Sequence, residues 1–130
     1  MSTKTSPLAA HIKIDVNTQY LDGRIPEEEK KWAFAYKIAI CNNGKEQVQL
    51  INRYWLITDA NGKKTEVRGA GVIGEQPVIA AGESFEYTSG AILDTPVGTM
   101  QGYYEMQCAN GDMFEAPIKV FGLAVPNVIN

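Results

Sequence analysis

The stretch Trp32-Ala33-Phe34-Ala35-Tyr36-Lys37-Ile38-Ala39-Ile40 decides the fold class. Large apolar side chains recur at every second position, with alanine or lysine between them, and that period of two belongs to a strand buried on one face. On a helix the same residues would spread around the whole circumference. Working outward, residues 11–20 set Ile12, Ile14, Val16 and Tyr20 on one side, and residues 48–58 form a β-branched and aromatic run. Residues 65–68, 84–89, 102–109 and 113–121 read as further strands. The pairs Asn43-Gly44, Asn61-Gly62 and Asn110-Gly111 fall between these runs, and Asn-Gly best tolerates the positive φ of a tight hairpin. No stretch keeps a helical apolar repeat. Pro26-Glu27-Glu28-Glu29 suits one turn at most, with proline at a first helical position and acidic residues near a helix N-terminus. Seven or eight short strands punctuated by turns predict an all-β protein, an antiparallel β-sandwich with Greek-key connections.

A chain of 130 residues and 14.3 kDa buries about two-thirds of its unfolded surface, enough for one core and too little for two. The expected organisation is a frayed tail over residues 1–8 and a single domain over residues 9–130. Twelve Lys and Arg against fifteen Asp and Glu give a net charge of -3, so no basic stripe is available for a nucleic-acid backbone. No apolar run serves as a signal-peptide core or approaches the ~20 residues of a membrane span, so neither export nor a membrane partner is expected. The two cysteines form no C-x-x-C pair. Cys41 has the parity of Ala33 and Ala39, whereas Cys108 has that of Tyr104 and Met106, which predicts two free thiols, one on each side of its sheet. Such usage fits the cytoplasm.

Residues 69–74 match the dinucleotide pattern G-x-G-x-x-G at Gly69, Gly71 and Gly74. That pattern works where a strand precedes it and a helix opens within it, but Pro77 follows and no βαβ alternation exists, so no nucleotide cofactor is expected. What is left is a bend shaped by glycines, or an exposed loop whose amides take a partner or an anion. Arg68 is the adjacent basic residue, and Glu75 and Gln76 continue the segment. His11 is the only histidine, so no histidine-rich metal site can form, and Asp94, Asp112 and the run Glu27–Glu29 offer at most loose contacts to Mg²⁺. Neither serine nor cysteine has a base at a recognisable spacing, so no catalytic residue is expected. Trp55 reads as core. Arg53 shares its face, a conflict that requires a bulge or a guanidinium reaching the sheet end, and this makes Arg53 a candidate site residue. Leu93-Asp94-Thr95-Pro96 before Tyr103-Tyr104 predicts a tyrosine corner, one ring buried and one exposed.

Taken as an ordered set, these segments resemble the ApaG family. The match runs from Phe34-Ala35-Tyr36 through Arg53-Tyr54-Trp55-Leu56-Ile57-Thr58-Asp59-Ala60-Asn61-Gly62 and residues 66–77 to Tyr87-Thr88-Ser89-Gly90 and Tyr104-Glu105-Met106. Tyr54 stands where that family most often has histidine, and residues 21–31 depart from its usual pattern. The resemblance implies a fibronectin-III-like or immunoglobulin-like sandwich with the glycine motif between two strands. It also implies an association with cobalt resistance and magnesium efflux, without an established enzymatic activity. The resulting expectation is a cytoplasmic interaction module with a protein partner and weak or no direct metal binding, its contact residues being Arg53, Arg68, Gly69, Gly71, Gly74, Glu75 and Gln76. The alternative is a binder of a phosphate-bearing small molecule on the same loop.

Overall fold

The period of two read from residues 32–40 is carried by β2 (Trp32–Asn42), in which Phe34, Tyr36, Ile38 and Ile40 are buried while Lys37 is exposed. The computed structural model describes residues 7–126. The other strands are β1 (Ile12–Tyr20), β3 (Val48–Asp59), β4 (Lys64–Ala70), β5 (Val78–Ile79), β6 (Ser84–Leu93), β7 (Val97–Cys108) and β8 (Met113–Ala124). They form two antiparallel sheets, a three-stranded one in the order β1-β2-β6 and a five-stranded one in the order β4-β3-β7-β8, with β5 also on β3. Leu50, Trp55, Met100, Tyr104, Met106, Phe114 and Leu123 of the larger sheet face the β2 side chains and close the core. Trp55 sits at its centre, edge-on to Tyr36 at 5.5 Å and to Phe121 at 5.8 Å. β1 and β8 pack together where the two sheets meet on one side.

Several expectations change. Asn43-Gly44 is not a hairpin: β2 and β3 lie in different sheets, Gly44 does not take a positive φ, and its amide donates to the side-chain oxygen of buried Asn42 at 3.0 Å. Asn61-Gly62 and Asn110-Gly111 do close the β3–β4 and β7–β8 hairpins, but only the glycines are left-handed, at φ 84° and 95°. These are the longer hairpin loops built on a type I turn, with glycine as the left-handed residue after it. His11 belongs to a 3-10 turn, Pro7–His11, rather than to β1, and Leu8 packs against the core. Order therefore reaches into the expected tail, of which residues 1–6 lie outside the described residues. A second 3-10 turn, Glu27–Glu29, stands where one helical turn was anticipated, and no α-helix occurs among the described residues. The tyrosine corner is absent, because Tyr104 bonds Tyr87 instead of the crossing loop. Thr95 ties that loop down, accepting from the Ala60 amide at 3.0 Å and donating to the Val97 carbonyl at 2.7 Å. Cys41 is half-buried and Cys108 buried, both as free thiols, and burial pushes the Cys108 thiol pKa up.

Candidate functional site

The site begins with a parity problem inside β3. Leu50 and Trp55 are both buried, yet residues five apart on a regular strand face opposite ways. The register shifts between Leu50 and Asn52, so Ile51 is an inserted residue and every side chain after it changes face. Arg53 and Trp55 are thereby turned inward together. The bulge also leaves the Ile51 carbonyl without its place in the ladder, and two groups of the glycine segment take it: the Gly71 amide at 2.8 Å and the Gln76 side-chain amide at 2.9 Å. The Leu50 amide donates to the Pro77 carbonyl at 3.0 Å, and the Gln49 side chain donates to the Gln76 carbonyl at 3.0 Å. Both ends of the loop after β4 are thus fixed to one irregular stretch of β3.

Arg53 holds the loop from within. Its Nη1 donates to the carbonyls of Ala70 at 3.2 Å and Gly71 at 2.9 Å. Gly69 lies directly across from it on β4, and a Cβ there would fall 2.8 Å from that nitrogen, so the first motif glycine is the space the guanidinium occupies. On the core side, the hydroxyls of Tyr87 and Tyr104 share a hydrogen bond of 2.5 Å. Burial raises both of their pKa values, with the Arg53 charge acting weakly the other way.

Gly71 and Gly74 serve different ends from Gly69. Gly71 is left-handed at φ 63°, and a Cβ on it would stand 2.1 Å from the Glu75 carbonyl oxygen, so no other residue fits without moving backbone. Val72 beyond it is buried, and its amide and carbonyl both bond Glu75, at 2.8 and 2.9 Å. Between them Ile73 and Gly74 take φ 50° and 75°, which makes a type I′ turn. A β-branched residue in left-handed backbone is an outlier. Ile73 is nevertheless 57% exposed at the tip. The amides of Gly71, Val72 and Glu75 are engaged within the protein.

Arg68 is not part of this arrangement. Adjacent to Gly69 on β4, it points to the outer face of the sheet, where its guanidinium lies 4.4 Å from the Tyr54 ring centroid and Tyr54 stacks on Tyr103 at 5.0 Å. The Tyr54 hydroxyl donates to Glu66 at 2.6 Å, and that bond holds its pKa up. The basic residue beside the glycines is Arg53. Of the expected contact residues, the structure brings Arg53, Gly69, Gly71 and Gln76 together as the frame of the loop, leaves Glu75 and Gly74 at its exposed rim, and puts Arg68 outside that frame, where it shares a shallow depression with Arg53 and Gly69. Ile73 was not singled out from the sequence, because nothing in local turn chemistry marks an isoleucine for a left-handed position.

Of the carboxylates expected to offer loose contacts to a cation, Asp94 is engaged by lysines. Asp94 sits between Lys31 at 2.6 Å and Lys63 at 3.1 Å, which hold its carboxyl below the usual range. No group of three His, Cys, Asp or Glu among the described residues is placed to hold a metal ion. No helix among them is long and apolar enough to cross a membrane.

Comparison with known proteins sets this geometry in context. An X-ray structure of a structural-genomics target superposes with a TM-score of 0.90 at 45% identity, covering 95% of this chain and 93% of its own. A crystal structure of a Bordetella pertussis protein gives 0.86 at 44% identity, over 89% of this chain and 94% of that one. Protein ApaG of Proteus mirabilis is 49% identical over 122 residues, 94% of this chain and 98% of the relative. The ApaG domain model matches residues 23–108, which span the bulge of β3, Arg53 and the whole glycine loop, and the chain belongs to the ApaG domain family.

Proposed function

We propose that the protein is a non-enzymatic cytoplasmic interaction module that grips a protein partner through the loop after β4. Its link to cobalt and magnesium homeostasis would run through that partner. The observation that carries this reading is Ile73, a β-branched side chain 57% exposed at φ 50°. A left-handed β-branched residue costs about 1 to 3 kcal/mol and persists only where its surroundings over-determine it. Arg53, the Ile51 carbonyl and the Val72–Glu75 bonds supply that constraint. An apolar knob on a rigid mount loses little conformational freedom when a partner buries it, which favours binding. A phosphate ligand is less well served, since three of the loop amides are committed internally.

The test is capture of partners from native lysate on wild-type protein and on Ile73→Asn, with thermal melts in inorganic pyrophosphate run beside it. Asparagine keeps the turn and removes the knob. The expected outcome is a partner retained by the wild type and lost by the variant, with no pyrophosphate shift in Tm. A partner held equally by both, or a Tm raised by pyrophosphate through mass action, would overturn the reading.

A further inference from the structure

The edges of the two sheets are unequally guarded. β4 carries Lys64, Glu66 and Arg68 within seven residues. β8 carries Pro117 and Lys119 and a register shift against β7, and it packs against β1. Charges, prolines, bulges and covering elements are the usual means of stopping one sheet from pairing with another. β6 has no proline or bulge, no covering element among the described residues, and a single charge. Its ten residues keep unbroken register with β2 and contain no proline, lysine or arginine. Its one charge, Glu86, is paired with Lys37 of β2 at 3.4 Å. Among the described residues the β6 backbone bonds only to β2. At the end of the strand, Ile92 is 61% exposed on the outer face.

We propose that β6 pairs antiparallel with β6 of a second copy of this chain, joining two three-stranded sheets into one of six strands. Directly opposed residues of an antiparallel pair share a face, so the twofold axis passes through a residue, and Thr88 and Ser89 lie nearest the strand centre. About Thr88, Glu86 faces Gly90 and Ser84 faces Ile92. About Ser89, Glu86 faces Ile92. Neither register sets carboxylate against carboxylate, and both cover the exposed isoleucine. A foreign strand would meet on β6 only one charge, already paired, and a shallow depression at Thr88, whereas a second copy of this edge meets itself without a charge clash and covers Ile92. The inference is independent of the glycine loop.

Sedimentation equilibrium of the full chain from about 10 μM to about 1 mM tests it, since one strand pair makes a small interface and a weak dimer. Thr88→Glu gains Lys37 as its cross-strand neighbour, which favours the fold, and opposes its own copy in the first register. Ile92→Glu opposes Glu86 in the second. The wild type is expected to associate as concentration rises, and the double variant to associate at least about tenfold more weakly, about 1.4 kcal/mol. A wild type monomeric throughout, or association unchanged in a folded double variant, overturns the proposal. Amide exchange on the wild type alone gives a second readout. Protection confined to β6 that grows with concentration is expected, and protection that does not change with concentration, or that arises from a foreign strand bound to a monomer, overturns it as well.

Discussion

The connection from β3 to β4 and the connection after β4 are both tight turns on the same sheet, and they are built on opposite plans. In the first, Asp59 does nearly everything. Its amide and carbonyl bond Lys63 and Gly62, and its carboxylate accepts the amides of Asn61 and Lys63 at 2.9 Å each. Gly62 is left-handed in open space. In the second, the Val72–Glu75 bonds close the tip, but its mounting comes from across the sheet, from Arg53, the Ile51 carbonyl, Leu50 and Gln49, and its left-handed residues are Gly71 packed against backbone, Gly74, and an isoleucine that local preference would reject. A turn held by its own residues must use residues that favour turns. One held from outside is free to display a residue chosen for something else.

The sharpest test is Gly71→Ala. The left-handed penalty of about 1 to 2 kcal/mol adds to a contact of 2.1 Å with the Glu75 carbonyl, so the loop must shift. The expected loss is about 3 kcal/mol and a Tm lower by roughly 10 °C. Thermal melting of the variant checks it, and a loss under about 1 kcal/mol would mean that the loop is not rigidly held.

Alkaline pH probes the glycine-loop side of the comparison, because the buried Tyr87 and Tyr104 hydroxyls lie within reach of the charge of Arg53, which holds that loop. Burial raises the folded pKa values of Tyr87 and Tyr104. The unfolded chain releases those protons near pH 10 while the folded chain keeps them, so the contribution of the two tyrosines is whole below about pH 10 and falls as pH rises beyond it, by up to about 1.4 kcal/mol per unit for each tyrosine. Replacing both with phenylalanine removes donor and acceptor together and leaves no hydroxyl unpaired. Melts between pH 8 and about 11 should show the double variant losing stability less steeply than the wild type. Buried Cys108 weakens both alike. Parallel curves would show that the hydroxyl pair titrates freely.

Gly62→Ala is the smaller counterpart to Gly71→Ala. With nothing within 4 Å of the added Cβ, only the backbone term remains, about 1 kcal/mol and a few degrees in Tm. Equal losses in the two alanine variants would erase the distinction between the turns.

The all-β sandwich was legible because it rests on local periodicity. Phe34 to Ile40 alternate, and the side chains that alternate are the buried ones. Asn61-Gly62 and Asn110-Gly111 were legible as hairpins for the same reason, while Asn43-Gly44 misled because which sheet a strand joins is a tertiary choice. The Arg53 conflict offered a bulge or a guanidinium reaching past the core, and the second is what occurs: the bulge lies upstream, between Leu50 and Asn52, leaves Arg53 on the face of Trp55, and the guanidinium reaches the loop carbonyls. The residue inserted and the loop it captures depend on pairings that no spacing in the chain records. Arg68 illustrates the limit well. Adjacency to Gly69 in sequence placed it with the glycines, and strand alternation placed it on the other face of the sheet.

Ile73→Asn carries the smallest expected change and the opposite sign. Asparagine visits left-handed backbone far more readily than a β-branched residue does, and Ile73 is 57% exposed, so little buried area is lost with it. The variant should therefore be more stable than the wild type by about 0.5 to 1 kcal/mol, a rise in Tm of a few degrees. Measured by denaturant titration, the midpoint should move up with the slope unchanged, because the surface exposed on unfolding is nearly the same. A destabilised variant would mean that Ile73 packs against the protein in solution and is not a displayed side chain. A stabilised variant would mean that the isoleucine at this position lowers the stability of the isolated fold, and combining it with Gly71→Ala would then recover only the strain at the tip, leaving the larger loss from the Glu75 carbonyl contact in place.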